Sequence, residues 1–320
     1  MNKLFTLTKN TFVETLRQPV YAIIIIAALL LFIISPSLTM YTMSDDNKLL
    51  RELGLSTLFL TSLFIAIFSA SGTVAEEIAN KTIITVLSKP VQRPIFITAK
   101  FLGVTAAVFL AHYVCTIALL MAIRHGVMET SADTIDWTVI TVGAVIVVLT
   151  LLLSAFFNYV YDWRFSSTVV VLLALFASLG MVFLSLVDRN WQFNPQDNGI
   201  NSLDVYGSIL LLLGAVIMVA LAVAISSRFN IVVTLSCCLG LFLLGLISDY
   251  VFGRFAQTQL WAKIGRFLVP NLQVFWISDA IYEGSVVPLK YVIIGASYAL
   301  CYTIAILFIA IALFQRRQVG

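Results

Sequence analysis

Residues 20–39 read VYAIIIIAALLLFIISPSLT, twenty positions without a charge. About 20 mainly apolar residues are what a helix needs to cross the hydrocarbon of a bilayer. Helix is the form this stretch must take there, because lipid offers its N–H and C=O groups no partner. The pattern recurs along the chain. Of 320 residues, 61% are hydrophobic and 11% charged, against about 25% charged in a soluble domain, and the mean hydropathy is +1.02. The fold class is therefore all-α: one polytopic membrane helical bundle over residues 1–320.

Hydropathy and turn residues place spans near 20–39, 56–75, 101–123, 139–157, 168–187, 208–225, 231–247 and 291–314, about eight in all. The pair on either side of Ser226-Ser227-Arg228-Phe229-Asn230 reads either as two short spans or as a re-entrant hairpin, which would leave six spans plus the hairpin. With both termini in the cytoplasm, the cytoplasmic segments hold eleven basic and four acidic residues, leaving eight of the 19 basic and twelve of the 16 acidic residues opposite. The positive-inside bias favours that orientation. Ser35-Pro36-Ser37 has the small residues of a leader cleavage site, but the 19 residues ahead of the first apolar run contain Glu14 and read against one.

Composition also excludes function classes. A net charge of +3, with no run of Lys or Arg longer than two, gives no footprint for nucleic acid. Cys115, Cys237, Cys238 and Cys301 fall in apolar runs and read as small buried hydrophobes. His112 and His125 are at no ligand spacing with them, so no metal site is expected, and His112 reads as an interhelical hydrogen-bonding group. No glycine is followed by lysine, which rules out a P-loop in this chain. No carboxylate lies in the middle of a predicted span, against a proton- or sodium-coupled carrier and against an intramembrane enzyme.

Three segments outside the spans carry the functional expectations. Residues 1–19 form an amphipathic helix ending at Pro19, with Phe5, Phe12 and Leu16 on one side, suited to the cytoplasmic lipid interface. Residues 249–290 are too mixed to cross yet rich in aromatics, as in VPNLQVFWISDAI, and suit helices in the outer interface, either as a gate or lateral exit or as a packed cap. Residues 76–100 form a cytoplasmic connection whose short amphipathic helix can either lie on the lipid or present its face to a soluble partner. Ala79, Ile83, Val86 and Leu87 make an apolar stripe at helical spacing, Glu76 and Glu77 suit the helix N-terminus and Lys89 the C-terminus. Pro90 ends the helix, and Pro94 opens the next.

That connection resembles the cytoplasmic coupling segment of permease subunits of type-2 ATP-binding-cassette exporters. There the second span runs into an acidic turn, a Thr-containing helix with a Leu near its end, Pro-Val-x-Arg, and Gly-Lys before the third span. The matching residues are Glu76, Glu77, Thr82, Leu87, Pro90-Val91-Gln92-Arg93 and Lys100. Lys81 and Ala99 stand where the commoner pattern has glycine. The amphipathic N-terminal helix, the external segment with Pro270, Asn271, Phe275, Trp276 and Asp279, and the terminal Phe-Gln-Arg-Arg at 314–317 are similar in layout. The resemblance implies that Ile83, Val86 and Leu87 dock a cassette ATPase within a rim of Glu76, Glu77 and Arg93. It implies ATP and Mg in that partner and no cofactor in this chain, a homodimer or a heterodimer with a homologous permease, and export from a bacterial inner membrane. The same layout also serves a membrane scaffold or assembly factor that transmits mechanical work without transporting.

Overall fold

The computed structural model describes residues 3–39, 46–75, 92–128, 134–195, 198, 201–256, 258–277, 280 and 286–315. These are helical apart from connections and an isolated bridge between Val187 and Phe193. In chain order the helices are α1 (Lys3–Leu16), α2 (Pro19–Leu38), α3 (Asp46–Ala70), α4 (Arg93–His125), α5 (Trp137–Tyr161), α6 (Phe165–Leu186), α7 (Ser202–Ser226), α8 (Ile231–Leu246), α9 (Leu260–Leu268) and α10 (Leu289–Gln315). π-Helical turns at Ser71–Ala75 and Asp249–Gly253 follow α3 and α8.

Local chemistry sets the boundaries. Pro19 opens α2 and Pro94 lies in the first turn of α4, where the missing N–H is no loss. Asp136, Asn201 and Asn230 cap α5, α7 and α8, their side-chain oxygens accepting from Thr138 and Val139, from Leu203 and from Val233. Each satisfies N–H groups that have no partner within the helix. Asp162, at φ 56°, makes the left-handed turn that folds α6 back on α5.

Among the described residues, seven helices are long and apolar enough to cross a membrane, and α8 is a shorter apolar helix. At 16 residues it is about 24 Å long, short of the ~30 Å hydrocarbon core. Hydrogen bonds nevertheless fix both ends of α8 to other parts of the bundle. At the start of α8 the Arg228 guanidinium donates to the Leu313 carbonyl near the end of α10. At its far end the Gly245 carbonyl accepts from the Leu272 N–H, and the π turn carries the helix on to Gly253. Among the described residues, seven span-capable helices and the shorter apolar α8 thus make up the bundle.

α3 and α4 begin ten and eight residues before the predicted spans. Polar residues such as Lys48, Arg51 and Glu52 continue a helix as readily as apolar ones, and hydropathy registers only the part immersed in lipid.

Burial sorts the helices into two groups. α3, α4 and α7 form the centre, with Phe59, Leu63, Val108, Cys115, Leu211 and Met218 excluded from the surface. α2, α5, α6 and α10 surround them and expose large apolar side chains such as Ile33, Leu152, Leu179 and Phe308. In water that surface would aggregate, and its natural solvent is lipid. α5 and α6 pair chiefly with each other and lean on α4, forming a hairpin on the flank.

Candidate functional site

At the end of the bundle where α1 lies and α10 finishes, which is the cytoplasmic end in the orientation the loop charges predict, three elements converge on the start of α4. α1 lies along α4, burying Thr11, Thr15 and Leu16. Gly103 permits the approach: a Cβ there would sit 2.6 Å from Thr11 Cβ and 2.9 Å from the Thr8 carbonyl oxygen. Glu14 pairs with Lys100 at 3.3 Å, and that ammonium is nearly buried and lies 5.8 Å from the centre of the Phe96 ring. Phe96 stacks on Phe314 of α10 at 5.5 Å, and the Arg93 guanidinium donates to the Gln315 carbonyl. The elbow at Gln18 abuts Gly72 in the π turn that ends α3. π turns recur at functional positions, and this one lies where the chain leaves α3 for residues 76–91.

Of the predicted coupling residues, Arg93 and Lys100 are thus fixed to α10 and α1. Glu76, Glu77, Thr82, Ile83, Val86, Leu87 and Pro90 lie outside the described residues. The predicted lipid-facing stripe of α1 is divided. Phe5 is exposed, Phe12 is half-buried against the core and Leu16 is buried. Periodicity groups side chains on a face without saying what covers it, and here α4 covers much of α1.

Gly103→Val is expected to force α1 away from α4, because one of the clashing atoms is a backbone oxygen that no rotamer change can move. The cost should be about 1–3 kcal/mol, read as a lower melting temperature in detergent and faster proteolysis ahead of residue 19. An unchanged melting temperature and cleavage rate would show that α1 is not fastened at this point.

At the opposite end, residues 269–277 fold down into the bundle. Phe275 is fully buried, and it and Phe59 both lie 3.3 Å from where a Gly214 Cβ would be. Phe59 contacts Phe242 and Trp276 at ring separations of 5.4 and 6.1 Å, and Phe275 faces Tyr298 at 6.0 Å. Polar tethers hold the segment. The Asn271 N–H donates to the Tyr298 hydroxyl and its amide donates to Asp249, which also pairs with Arg266. Tyr291 and Tyr302 donate to the carbonyls of Val274 and Leu268. Pro270 is buried, Asn271 and Trp276 are half-buried, and Asp279 lies outside the described residues. Residues 269–277 are thus packed against the bundle. Beside them, α9 rests Gly265 against Phe252 and exposes Leu260, Trp261, Ile264 and Phe267, as a helix lying in the lipid interface does.

Between the two ends, His112 joins the three central helices. Its Nδ1 lies 2.8 Å from the Ser62 hydroxyl of α3, and its Nε2 lies 3.0 Å from the Ser208 carbonyl of α7. Thr116 lies 2.7 Å from the Ser208 hydroxyl. This is the interhelical role expected of His112.

At the same end of the bundle as residues 269–277, two ion clusters join residues whose pairing the sequence does not disclose. Arg51 of α3 meets the buried Asp204 of α7 at 3.0 Å. Asp136 lies 3.5 Å from both Arg124 and Arg189. Both carboxylates lie at helix ends, and Asp136 stands ahead of an apolar run in a capping position. Among the described residues, no group of three or more His, Cys, Asp or Glu side chains could hold a metal.

A family model described as "ABC-2 family transporter protein" matches residues 16–233, from the last residue of α1 into the first turn of α8. The chain belongs to the ABC-2 transporter family. Comparison with curated proteins gives no match. As an ABC-2 permease it is a multi-pass membrane component of an ABC transporter, a class generally not catalytic itself. The match runs through α2, α3, residues 76–91 and α4, the part of the chain that carries the sequence resemblance.

Proposed function

We propose that this ABC-2 permease exports a substrate across a bacterial inner membrane. A separate cassette ATPase, which binds ATP and Mg, supplies the work, and the permease pairs with a second copy or a homologous chain. The family match over residues 16–233 is the observation that carries this reading. The ATPase docks on residues 76–93, with Ile83, Val86 and Leu87 as the apolar centre and Glu76, Glu77 and Arg93 as the charged rim that fixes register.

The packing at the base of α4 supports a mechanical role for this segment. Residues 76–91 connect the π turn of α3 to the first turn of α4, so closure of two ATPases would displace both helices together. α1 would follow through Glu14, Lys100 and the Gly103 contact, and α10 through Phe96, Phe314 and Arg93. At the far end, residues 269–277 would have to lift from Phe59 for cargo to leave.

Leu87→Asp tests the docking face. A carboxylate in the centre of an apolar contact has no partner, so the variant should insert and fold normally yet lose its cassette ATPase during purification in mild detergent. ATPase recovered in wild-type proportion would reject the assignment of Leu87 to the docking face.

A further inference from the structure

The flanking hairpin meets α2 only sparsely, and between α2, α4, α5 and α6 it leaves a cleft of about 690 Å³. Phe32 of α2, Ala118 and Met121 of α4, Gly143 and Val147 of α5 and Ala177 of α6 line it. Among the described residues, the titratable side chain in its wall is His125, at the outer end, whose ring interacts with Asp136 and Arg189. Next to it lies the half-exposed Arg189, whose Nη2 donates to the His125 carbonyl at 3.3 Å. Pockets with apolar walls and a few placed polar groups bind small ligands.

The dimensions identify the occupant. Along α4 the lining runs from Val114 to His125, and along α5 from Val139 to Val148, about 16 and 14 Å at 1.5 Å per residue. That is half of a ~30 Å hydrocarbon core. The charged cluster of Arg124, Asp136 and Arg189 stands level with the cleft's outer end, where headgroups lie. Ile33 and Val148 line the cleft and are also exposed on the outside of the bundle, so it opens sideways into lipid. A helix from a second copy would cross both leaflets, whereas this cleft ends midway. Water is a poor occupant, because apolar cavities stay dry and accept apolar guests.

We propose that the cleft is a binding site for a glycerophospholipid of the outer leaflet: one acyl chain lies between α2, α4 and α5, and the headgroup phosphate pairs with the half-exposed Arg189 guanidinium beside the cleft's end. The lipid fills the gap between hairpin and bundle and becomes part of the packed structure.

The test reconstitutes the full chain in vesicles of phosphatidylglycerol and phosphatidylcholine that contain a phosphatidylcholine carrying a diazirine on its acyl chain. After irradiation, peptide mapping compares cleft residues with Leu300 and Phe308, which are exposed on α10. Roughly ten-fold enrichment in the cleft is expected, the ratio given by 1.4 kcal/mol of preference. In Gly143→Leu the new side chain enters the cleft. A Cβ at that position meets only Met121 Cε, at 3.6 Å, so the variant should fold, lose the enrichment and keep normal labelling of α10. Equal labelling of cleft and α10 in the wild type would mean ordinary surrounding lipid and overturn the proposal, as would an unlabelled cleft. Enrichment that survives in Gly143→Leu would also overturn it. The wild-type ratio decides the matter even if the variant does not fold.

Discussion

Replacing Asp136 with alanine is expected to destabilise the protein by about 3–5 kcal/mol, the range found when one partner of a buried ion pair is removed. Asp136 is fully buried, and Arg124 opposite it is almost as inaccessible. The carboxylate has two tasks. Its Oδ1 accepts from the Thr138 and Val139 N–H groups at 3.1 and 3.2 Å and from the Thr138 hydroxyl, capping α5. Its Oδ2 faces Arg124 and Arg189. Arg124 would keep its bonds to the Leu184 and Val187 carbonyls, but its charge would be left buried without a counter-charge. Asp136→Asn separates the tasks. Asparagine caps a helix as well as aspartate does, so it should recover only the ~1 kcal/mol of the cap. Thermal unfolding of the two variants in detergent measures the difference, and an Asn variant as stable as the wild type would show that charge pairing at Asp136 contributes nothing.

This cluster also illustrates what the sequence discloses and what it withholds. Residues such as those at 20–39 have one stable form in lipid, so the all-helical class and the span positions follow from hydropathy alone. Caps and prolines are short-range chemistry, and Pro94 could therefore be placed at the start of α4 before any coordinates. The pairing of Arg124 with Asp136 and Arg189, or of Arg51 with Asp204 across 153 positions, depends on which helices become neighbours. Hydropathy carries no such information. His112 lies between these cases: a lone imidazole in an apolar run must find partners, but Ser62 and Ser208 become its partners only through the packing of α3 and α7. At the end of the bundle that the loop charges predict to be cytoplasmic, the family resemblance points to residues 76–100, while the attachment of that region to α1 and α10 through Glu14 and Phe314 is a product of the fold. The Gly103 contact has the same origin, since a glycine in a span does not reveal which helix it admits.

Phe275→Ala should be comparably damaging, at about 3–5 kcal/mol for a fully buried phenylalanine. The ring is held between Phe59, Tyr298 and the bare backbone of Gly214, and few atoms there can move to fill its place. The segment's tethers lie elsewhere: the Leu272 N–H to Gly245, Asn271 to Asp249, and the Tyr291 and Tyr302 hydroxyls to main-chain carbonyls. They leave residues 269–277 attached but without their anchor, so local loosening of the segment should accompany the loss of global stability. Phe275→Leu retains most of the apolar volume and should recover most of the loss, whereas Asn271→Ala removes one partly exposed hydrogen bond and should cost about 0.5–1.5 kcal/mol. Hydrogen exchange at the amides of 269–277, measured beside the melting temperature, separates the two effects. If Phe275→Ala and Asn271→Ala prove equally mild, the segment is held by its polar tethers and not by its aromatic core. The ordering expected here, with the buried ring dominant, would make the contact of Phe275 with Phe59 and Gly214 the principal anchor of residues 269–277.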